Sequence, residues 1–195
     1  KLKNDFEEKL RIADVYENLK KTANGEIVSD NSKITFERYI MGSYFEQVLY
    51  YANLRFSKMT GGRYEIVRGE SRDKRISAGL EISVRDNFNN KERDISSLSG
   101  GESFQASLAL ALGLSDIIQQ RNGGIRLDSI FIDEGFGSLD NDSLASAIET
   151  LNDLTGNGNR LVGIISHISE LKNSIGNKIE VVGTKSGSSV KIITD

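Results

Sequence analysis

Residues 130–134 read Ile-Phe-Ile-Asp-Glu, a short apolar run that ends in two carboxylates. The run predicts a strand buried in a parallel sheet, and open α/β sheets bind their ligands at the carboxyl ends of such strands. Because successive strand residues face opposite sides, one carboxylate can hold Mg²⁺ through water while its neighbour orients or deprotonates an attacking water. Taken alone, the stretch fits an acidic turn after a core strand at least as well as it fits a catalytic site.

A further acidic group follows a few residues downstream. Gly135 and Gly137 loosen the loop, and Ser138-Leu139-Asp140 comes just before a helical pattern over residues 142–154. Asp140 is therefore a candidate for the same site, and the N-cap of that helix is the alternative.

The chain's only histidine ends another apolar stretch. Residues 161–167 read Leu-Val-Gly-Ile-Ile-Ser-His, which predicts a second buried strand. A lone histidine usually means little, but in a parallel sheet His167 can lie beside the strand end that carries Asp133 and Glu134. From there its ring can reach a terminal phosphate or the attacking water.

Residues 98–102, Leu-Ser-Gly-Gly-Glu, are here called the glycine turn. Ser99 and Glu102 have the spacing of a capping box, which predicts that a helix starts there and continues to Ile118. Glycine weakens a helix by about 1 kcal/mol relative to alanine, so Gly100 and Gly101 indicate that a ligand approaches the backbone closely. Free N–H groups, the helix dipole and the Ser99 hydroxyl favour a phosphate. A plain capping box is the alternative, and the neighbouring motifs favour the phosphate site.

Two helices are predicted before the glycine turn. The first carries an apolar seam, whose members recur at three- and four-residue steps: Leu2, Phe6, Leu10, Ala13, Tyr16 and Leu19. With only about three heptads, a coiled coil and an ordinary amphipathic surface helix both remain possible. Turn formers punctuate residues 22–32. The second helix spans about residues 35–58 and stops at Thr60-Gly61-Gly62, with one apolar face: Phe36, Ile40, Tyr44, Val48, Tyr51 and Phe56.

Alternating patterns predict two pairs of strands. Residues 64–68 and 80–84 form an antiparallel unit across the polar stretch 69–79, and residues 178–182 and 190–194 form a closing hairpin. Basic residues concentrate in the first pair, interrupted by acidic ones: Arg63, Arg68, Arg72, Lys74 and Arg75. A solvated hairpin face is the favoured interpretation, and a contact surface for a phosphate backbone is the alternative.

Composition limits the function classes. The 195 residues are 37% hydrophobic and 27% charged, enough for one substantial core with an appended helical element. A formal net charge of −3 argues against a globally basic nucleic-acid binder, so any contact with DNA must be local. The absence of cysteine excludes disulfides and thiolate metal sites. No apolar run spans a bilayer and the N-terminus does not resemble a signal peptide, so we expect a soluble, cytoplasmic protein without a membrane partner.

These motifs together resemble the ABC-type ATPases. The glycine turn resembles their signature, residues 130–134 their Walker B strand, residues 138–140 their D-loop, and His167 their switch histidine. The resemblance is closer to the SbcC family of ATPases in DNA double-strand-break processing, through residues 98–104, 133–140 and 163–167. It covers most of residues 35–172. It implies an α/β fold, the C-terminal lobe of an ABC-type head with a mixed sheet flanked by helices. By this resemblance, residues 35–195 are expected to form the lobe, and residues 1–34 the base of a coiled coil with a truncated linker.

The resemblance also implies roles for the candidate residues. Glu134 is the expected general base, assisted by His167, and Asp133 is the expected Mg²⁺ ligand, acting through water. In such ATPases two heads sandwich two nucleotides, so the glycine turn, with Ser99, Gly100, Gly101 and Glu102, contacts ATP held by the opposite head. Asp140 is expected to link the two heads across the interface. ATP then holds a homodimer of heads together.

A glycine-rich loop ending in Gly-Lys-Ser or Gly-Lys-Thr is missing from the 195 residues. The resemblance implies that an N-terminal lobe supplies it across a long coiled coil, so this lobe alone is expected to be inactive. A lobe without its partner strands is also expected to expose an apolar edge. The implied partners are an SbcD nuclease and DNA ends. A head of a structural chromosome-organising clamp without nuclease, and a transporter motor, remain as alternatives.

Overall fold

The computed structural model describes residues 2–26, 35–69, 80–121, 127–158, 160–184 and 187–194. Within these ranges, two short 3₁₀ helices, Ile95–Ser97 and Phe136–Ser138, accompany five α-helices and seven strands. In chain order these are α1 (Leu2–Ala23), α2 (Phe36–Met59), β1 (Tyr64–Arg68), β2 (Ile82–Asp86), β3 (Lys91–Asp94), α3 (Gly100–Arg121), β4 (Ser129–Asp133), α4 (Asn141–Gly158), β5 (Leu161–Ile165), α5 (Ser169–Ser174), β6 (Lys178–Thr184) and β7 (Gly187–Ile193). The chain divides into two compact units, residues 1–126 and 127–195.

The core of the first unit forms where α2 packs against α3. Val48, Ala52 and Phe56 of α2 and Leu112 of α3 are buried. The helices come very close at Gly113, where a Cβ atom would lie 2.6 Å from the carbonyl oxygen of Val48. A glycine is needed here because any side chain would push the two backbones apart.

Polar contacts fix the register of α2 against α3. Arg55 pairs with Asp116 at 2.7 Å, with only 19% and 13% of the two side chains exposed. The Tyr51 hydroxyl donates to Gln120 Oε1 at 3.3 Å, and Gln105 Nε2 donates to the carbonyl oxygen of Met59 at 3.3 Å. The helices therefore run antiparallel, and α3 ends close to the level of Tyr51.

This register explains which part of the apolar face of α2 is buried. Val48 and Phe56 are buried, but Phe36, Ile40 and Tyr44 are exposed. The N-terminal half of α2 extends past the end of α3, so α3 cannot cover these side chains. The predicted stop is confirmed, because Gly61 and Gly62 both take positive φ angles after Thr60.

The first predicted helix is confirmed as α1, and its apolar seam is exposed. The exposed members among the described side chains are Phe6, Leu10, Ala13, Tyr16 and Leu19. None of the described helices is both long enough and apolar enough to span a membrane.

An antiparallel sheet with the strand order β1-β2-β3 completes the first unit. Tyr64 and Ile66 of β1 and Val84 of β2 are buried. The predicted second strand is displaced by two residues, since β2 begins at Ile82 rather than Leu80. The strand β3 was not predicted from the sequence, because Lys91-Glu92-Arg93-Asp94 has no apolar alternation.

Acidic neighbours bind the described members of the basic cluster. Arg63 pairs with Asp86 at 3.5 Å, and Arg68 pairs with Glu46 at 2.6 Å. Arg72, Lys74 and Arg75 lie outside the described residues, so the solvated hairpin face stays a prediction.

Asn53 of α2 bonds to the outer edge of β1. Its Nδ2 donates to the carbonyl oxygen of Ile66 at 2.8 Å, and its Oδ1 accepts from the Ile66 N–H at 2.8 Å. We expect Asn53→Leu to lower the free energy of unfolding by about 1–2 kcal/mol, since both backbone groups lose their partner. Urea titration of the complete head measures this change. Asn152→Leu, at an exposed position of α4, is the control, and an equal effect of the two substitutions would contradict the prediction.

The second unit contains the two predicted apolar strands and the closing hairpin. β4 and β5 pair in parallel, with Phe131 opposite Gly163, and β6 and β7 pair antiparallel. Both arrangements confirm the sequence predictions. The strands are distributed over three small sheets among the described residues, within the α/β class that was predicted.

The prediction that β4 and β5 are buried was wrong. Phe131 is 70% exposed, and Leu161 and Ile165 are also exposed. Among the described residues, α4 is the helix that packs against β5, so this two-stranded sheet is covered on one side only. An apolar face of this sheet is therefore exposed, and the exposed apolar edge expected from the sequence stays a prediction.

Candidate nucleotide site

The carboxyl ends of β4 and β5 bring together Asp133, Glu134 and His167, here called the acidic edge. The register places Asp133 opposite Ile165, and the Glu134 N–H donates to the Ile165 carbonyl oxygen at 2.9 Å. His167 lies two residues after β5 ends. Its Nδ1 atom is 3.1 Å from Glu134 Oε2 and 3.2 Å from Oε1. The predicted proximity of His167 to the end of β4 is confirmed.

Backbone geometry turns the chain sharply after Asp133. Glu134 has φ of 60° and Gly135 has φ of 99°, so two successive residues are left-handed. A left-handed conformation is uncommon for a residue other than glycine, and such residues concentrate at functional sites. Phe136 is buried and anchors the following 3₁₀ helix, and the Ser138 hydroxyl donates to the Gly135 carbonyl oxygen at 3.1 Å. The turn that presents Glu134 is therefore held from its far side.

The acidic edge is accessible and rich in oxygen ligands. The side chains of His167 and Glu134 are 82% and 51% exposed, and Asp133 is exposed as well. Carboxylate oxygens suit Mg²⁺, which commonly keeps several waters and uses one or two protein carboxylates together with substrate phosphates. In the part of the chain that the structure describes, no three acidic or histidine side chains converge as a complete metal site. Asp133, an exposed carboxylate at the end of β4, fits a cation that is held mainly through water.

Asp140 caps α4. Its Oδ1 accepts the Ser143 N–H at 2.8 Å. This hydrogen bond, followed by those from the Ser143 hydroxyl and the Asp142 N–H, holds the pKa of Asp140 below its ordinary value. The N-cap interpretation is confirmed, and a role for Asp140 between heads stays a prediction.

The glycine turn forms the predicted capping box. The Ser99 N–H donates to Glu102 Oε2 at 2.8 Å, and the Glu102 N–H donates to Ser99 Oγ at 3.3 Å. Gly100 and Gly101 occupy the first turn of α3, where backbone N–H groups have no partner inside the helix. Such donors at a helix N-terminus suit an anion. The residues of the turn therefore fit a phosphate.

Two residues that were not selected from the sequence, Tyr64 and Arg93, lie close to the glycine turn. Partial burial opposes ionisation of Glu102, but hydrogen bonds from the Ser99 N–H, the Tyr64 hydroxyl and the Ser99 hydroxyl outweigh it and lower the pKa of Glu102. Arg93 Nη2 donates to the Tyr64 hydroxyl oxygen at 3.2 Å. The alternation of β1 could have indicated that Tyr64 is buried, but no local pattern connects it to Glu102.

The two clusters belong to different units. The glycine turn lies in residues 1–126, and the acidic edge and Asp140 lie in residues 127–195. The structure brings Glu134 and His167 together within one cluster and Ser99 and Glu102 together within the other.

Parallel strands that end in an acidic pair and a histidine, and a capped glycine turn, are features by which the chain resembles an ABC-type ATPase lobe. A solved structure described as "Structural biochemistry of ATP-driven dimerization and DNA stimulated activation of SMC ATPases" shares this fold. It superposes with a TM-score of 0.61 and 16% identity over 80% of this chain and 89% of that chain.

Sequence comparison identifies the family within this class. The family described as "SbcC/RAD50-like, Walker B motif" matches residues 70–153. The SbcC component of the SbcCD nuclease of Vibrio cholerae serotype O1 is 49% identical over 88% of this chain and 17% of its own length. The SbcC component of the same nuclease from Staphylococcus epidermidis is 55% identical over 78% of this chain and 15% of its own length. The chain belongs to the SbcC/RAD50-like family, and it spans about a sixth of the length of these relatives.

Proposed function

We propose that this chain is the C-terminal half of a head that binds and hydrolyses ATP, pairs with a second head on ATP, and works with an SbcD nuclease on DNA ends. The contact between His167 Nδ1 and the Glu134 carboxylate, at 3.1 Å, carries the proposal. It joins two side chains whose positions follow from the parallel pairing of β4 and β5. The names and identities of the relatives support the nuclease partner.

Glu134 is the proposed general base. Its carboxylate lies at a strand end, where it can accept a proton from water. Because Nδ1 of His167 lies close to both carboxylate oxygens, the imidazole holds the carboxylate in one orientation and leaves Nε2 for a phosphate or the attacking water. Asp133 would hold Mg²⁺, most simply through water. When bound, Mg²⁺·ATP supplies the phosphoryl group and neutralises the charge that develops on its oxygens.

The glycine turn is proposed to bind the ATP of the opposite head. Ser99, Gly100 and Gly101 offer a hydroxyl and backbone N–H groups at the positive end of α3. In this arrangement the acidic edge and the glycine turn of one chain serve different nucleotides. Asp140 would contribute to the same interface between heads.

Residues 1–34 are proposed to form the base of a coiled coil, and residues 35–195 the lobe. The exposed apolar seam of α1 supports this division. Tyr16 is 70% exposed and Leu19 is 59% exposed, and an unpartnered seam of this kind is what a coiled-coil helix presents to its partner.

Two measurements test the proposal: the rate of ATP hydrolysis, and the size of the protein by chromatography with and without ATP and Mg²⁺. Both are made on this chain alone and on this chain mixed with a candidate N-terminal lobe. We expect hydrolysis and dimers only in the complete mixture, because the phosphate loop comes from the other lobe. Steady hydrolysis by this chain alone would place the nucleotide site elsewhere. Co-purification of the complete head with an SbcD nuclease distinguishes the repair ATPase from a structural clamp.

A further inference from the structure

The glycine turn is fixed to the sheet of the first unit by two side chains. Tyr64 is 2% exposed, its ring stacks on Phe56 with centroids 6.3 Å apart, and the Arg63 guanidinium lies over it at 4.7 Å. Tyr64 therefore presents its hydroxyl from a rigid position. Arg93 is half-buried on β3, six residues before Ser99.

Arg93 contacts this arrangement at two points. Nη1 donates to the carbonyl oxygen of Ser97 at 3.0 Å, and Nη2 donates to the Tyr64 hydroxyl oxygen at 3.2 Å. One guanidinium thus holds both the backbone that enters the glycine turn and the tyrosine that contacts its end. The planar fork of arginine makes the double contact possible, whereas a lysine ammonium is a single point of charge.

The direction of the hydrogen bonds follows from the donor inventory. A guanidinium has no acceptor, so the Tyr64 oxygen accepts from Arg93 and keeps its only proton for another partner. The nearby Glu102 carboxylate is available as that partner, and it accepts the Ser99 N–H at 2.8 Å. Burial, followed by the hydrogen bond to Glu102, raises the pKa of Tyr64, which keeps the hydroxyl protonated as this chain of bonds requires.

We propose that Arg93 and Tyr64 are positioning residues, which hold Ser97 and Glu102 so that Ser99, Gly100 and Gly101 face a phosphate. This phosphate belongs to the ATP that the proposed function assigns to the glycine turn. The inference therefore rests on the proposed function for the identity of the ligand. Neither residue contacts the nucleotide. They order the turn before a second head arrives. The entropy loss of ordering the turn therefore does not weaken the association of the two heads.

The test compares Tyr64→Phe with Tyr39→Phe in the complete two-lobed head. Tyr39 is an exposed tyrosine of α2, so its substitution removes the same hydroxyl away from the glycine turn. Amide hydrogen exchange over residues 98–104 is measured first. Loss of a hydrogen bond to a charged group is expected to speed exchange at residues 99–102 by about tenfold in Tyr64→Phe only. Equal exchange in the two variants overturns the inference.

Kinetics separate positioning from general stability. We expect Tyr64→Phe to lower kcat by about tenfold at an unchanged KM, because the nucleotide is held mainly by its own head. Arg93→Lys should act in the same direction, and the double variant should be no worse than the more severe single variant. A lower melting temperature with unchanged kcat overturns the positioning role. If the unsubstituted head hydrolyses no ATP, the proposed function fails, and the exchange comparison still decides whether Tyr64 orders the turn.

Discussion

Replacing Glu134 with glutamine in the complete two-lobed head is expected to lower ATP turnover by about 10²- to 10⁴-fold, the usual contribution of a general base. Glutamine has the shape of glutamate, so the left-handed turn at φ of 60° and the contact with His167 can persist. Its amide cannot accept a proton from water at neutral pH. Pairing of heads on ATP is expected to persist, because binding does not require this proton transfer.

Two measurements check this expectation. Steady-state hydrolysis gives the turnover, and chromatography with ATP and Mg²⁺ gives the paired fraction. Glu170→Gln removes a carboxylate at the exposed start of α5, in the same unit, and should leave both unchanged. Near-normal hydrolysis by Glu134→Gln would remove Glu134 from the catalytic role. Loss of pairing together with turnover would instead indicate that the substitution disturbs the turn.

Features that depend on residues close together in the sequence could be predicted from it. Ser99 and Glu102 form the capping box that their spacing predicts, because both partners lie within one turn of α3. The two apolar strands pair in parallel, and this pairing places the strand ends that lead to Glu134 and His167 side by side. The predicted N-cap role of Asp140 depends on the same kind of local geometry.

Burial could not be predicted from apolar character. Phe131 lies in a run typical of a core strand and is 70% exposed. Its ring lies over Gly163 of the neighbouring strand, where a Cβ would come within 2.5 Å of Phe131 Cδ1. A glycine in a strand can mark such a close approach, but whether a further layer covers the ring depends on other elements. The exposure of the N-terminal half of α2 also depends on another element, because the length of α3 decides how much of α2 is buried.

The contacts that support the candidate site also could not be predicted from short stretches of the sequence. Arg93 and Tyr64 are 29 residues apart, and their meeting depends on β1 and β3 flanking β2. The strand β3 itself has a polar sequence, so it was not predicted. The left-handed conformation of Glu134 is similarly invisible in the sequence, because glutamate has no preference for positive φ.

Gly113→Ala is expected to destabilise the complete head by up to about 2 kcal/mol, because overpacking costs about 1–3 kcal/mol and the helix-propensity gain offsets about 1 kcal/mol of it. The new Cβ would lie 2.6 Å from the Val48 carbonyl oxygen and 2.7 Å from the Ala52 nitrogen. Both are backbone atoms, so no side chain can rotate away and α2 and α3 must separate. Separation would stretch the contacts of Arg55 with Asp116 and of Tyr51 with Gln120.

Gly156→Ala is the matched control, because Gly156 lies in α4 and its Cβ would meet no atom within 4 Å. There only the propensity gain acts, so the two substitutions should shift the urea midpoint in opposite directions. A midpoint raised by Gly113→Ala would show that α2 and α3 do not need this close approach. Since α3 begins at the glycine turn, displacement of α3 should also lower ATP turnover below the unfolding temperature, whereas Gly156→Ala should leave turnover unchanged.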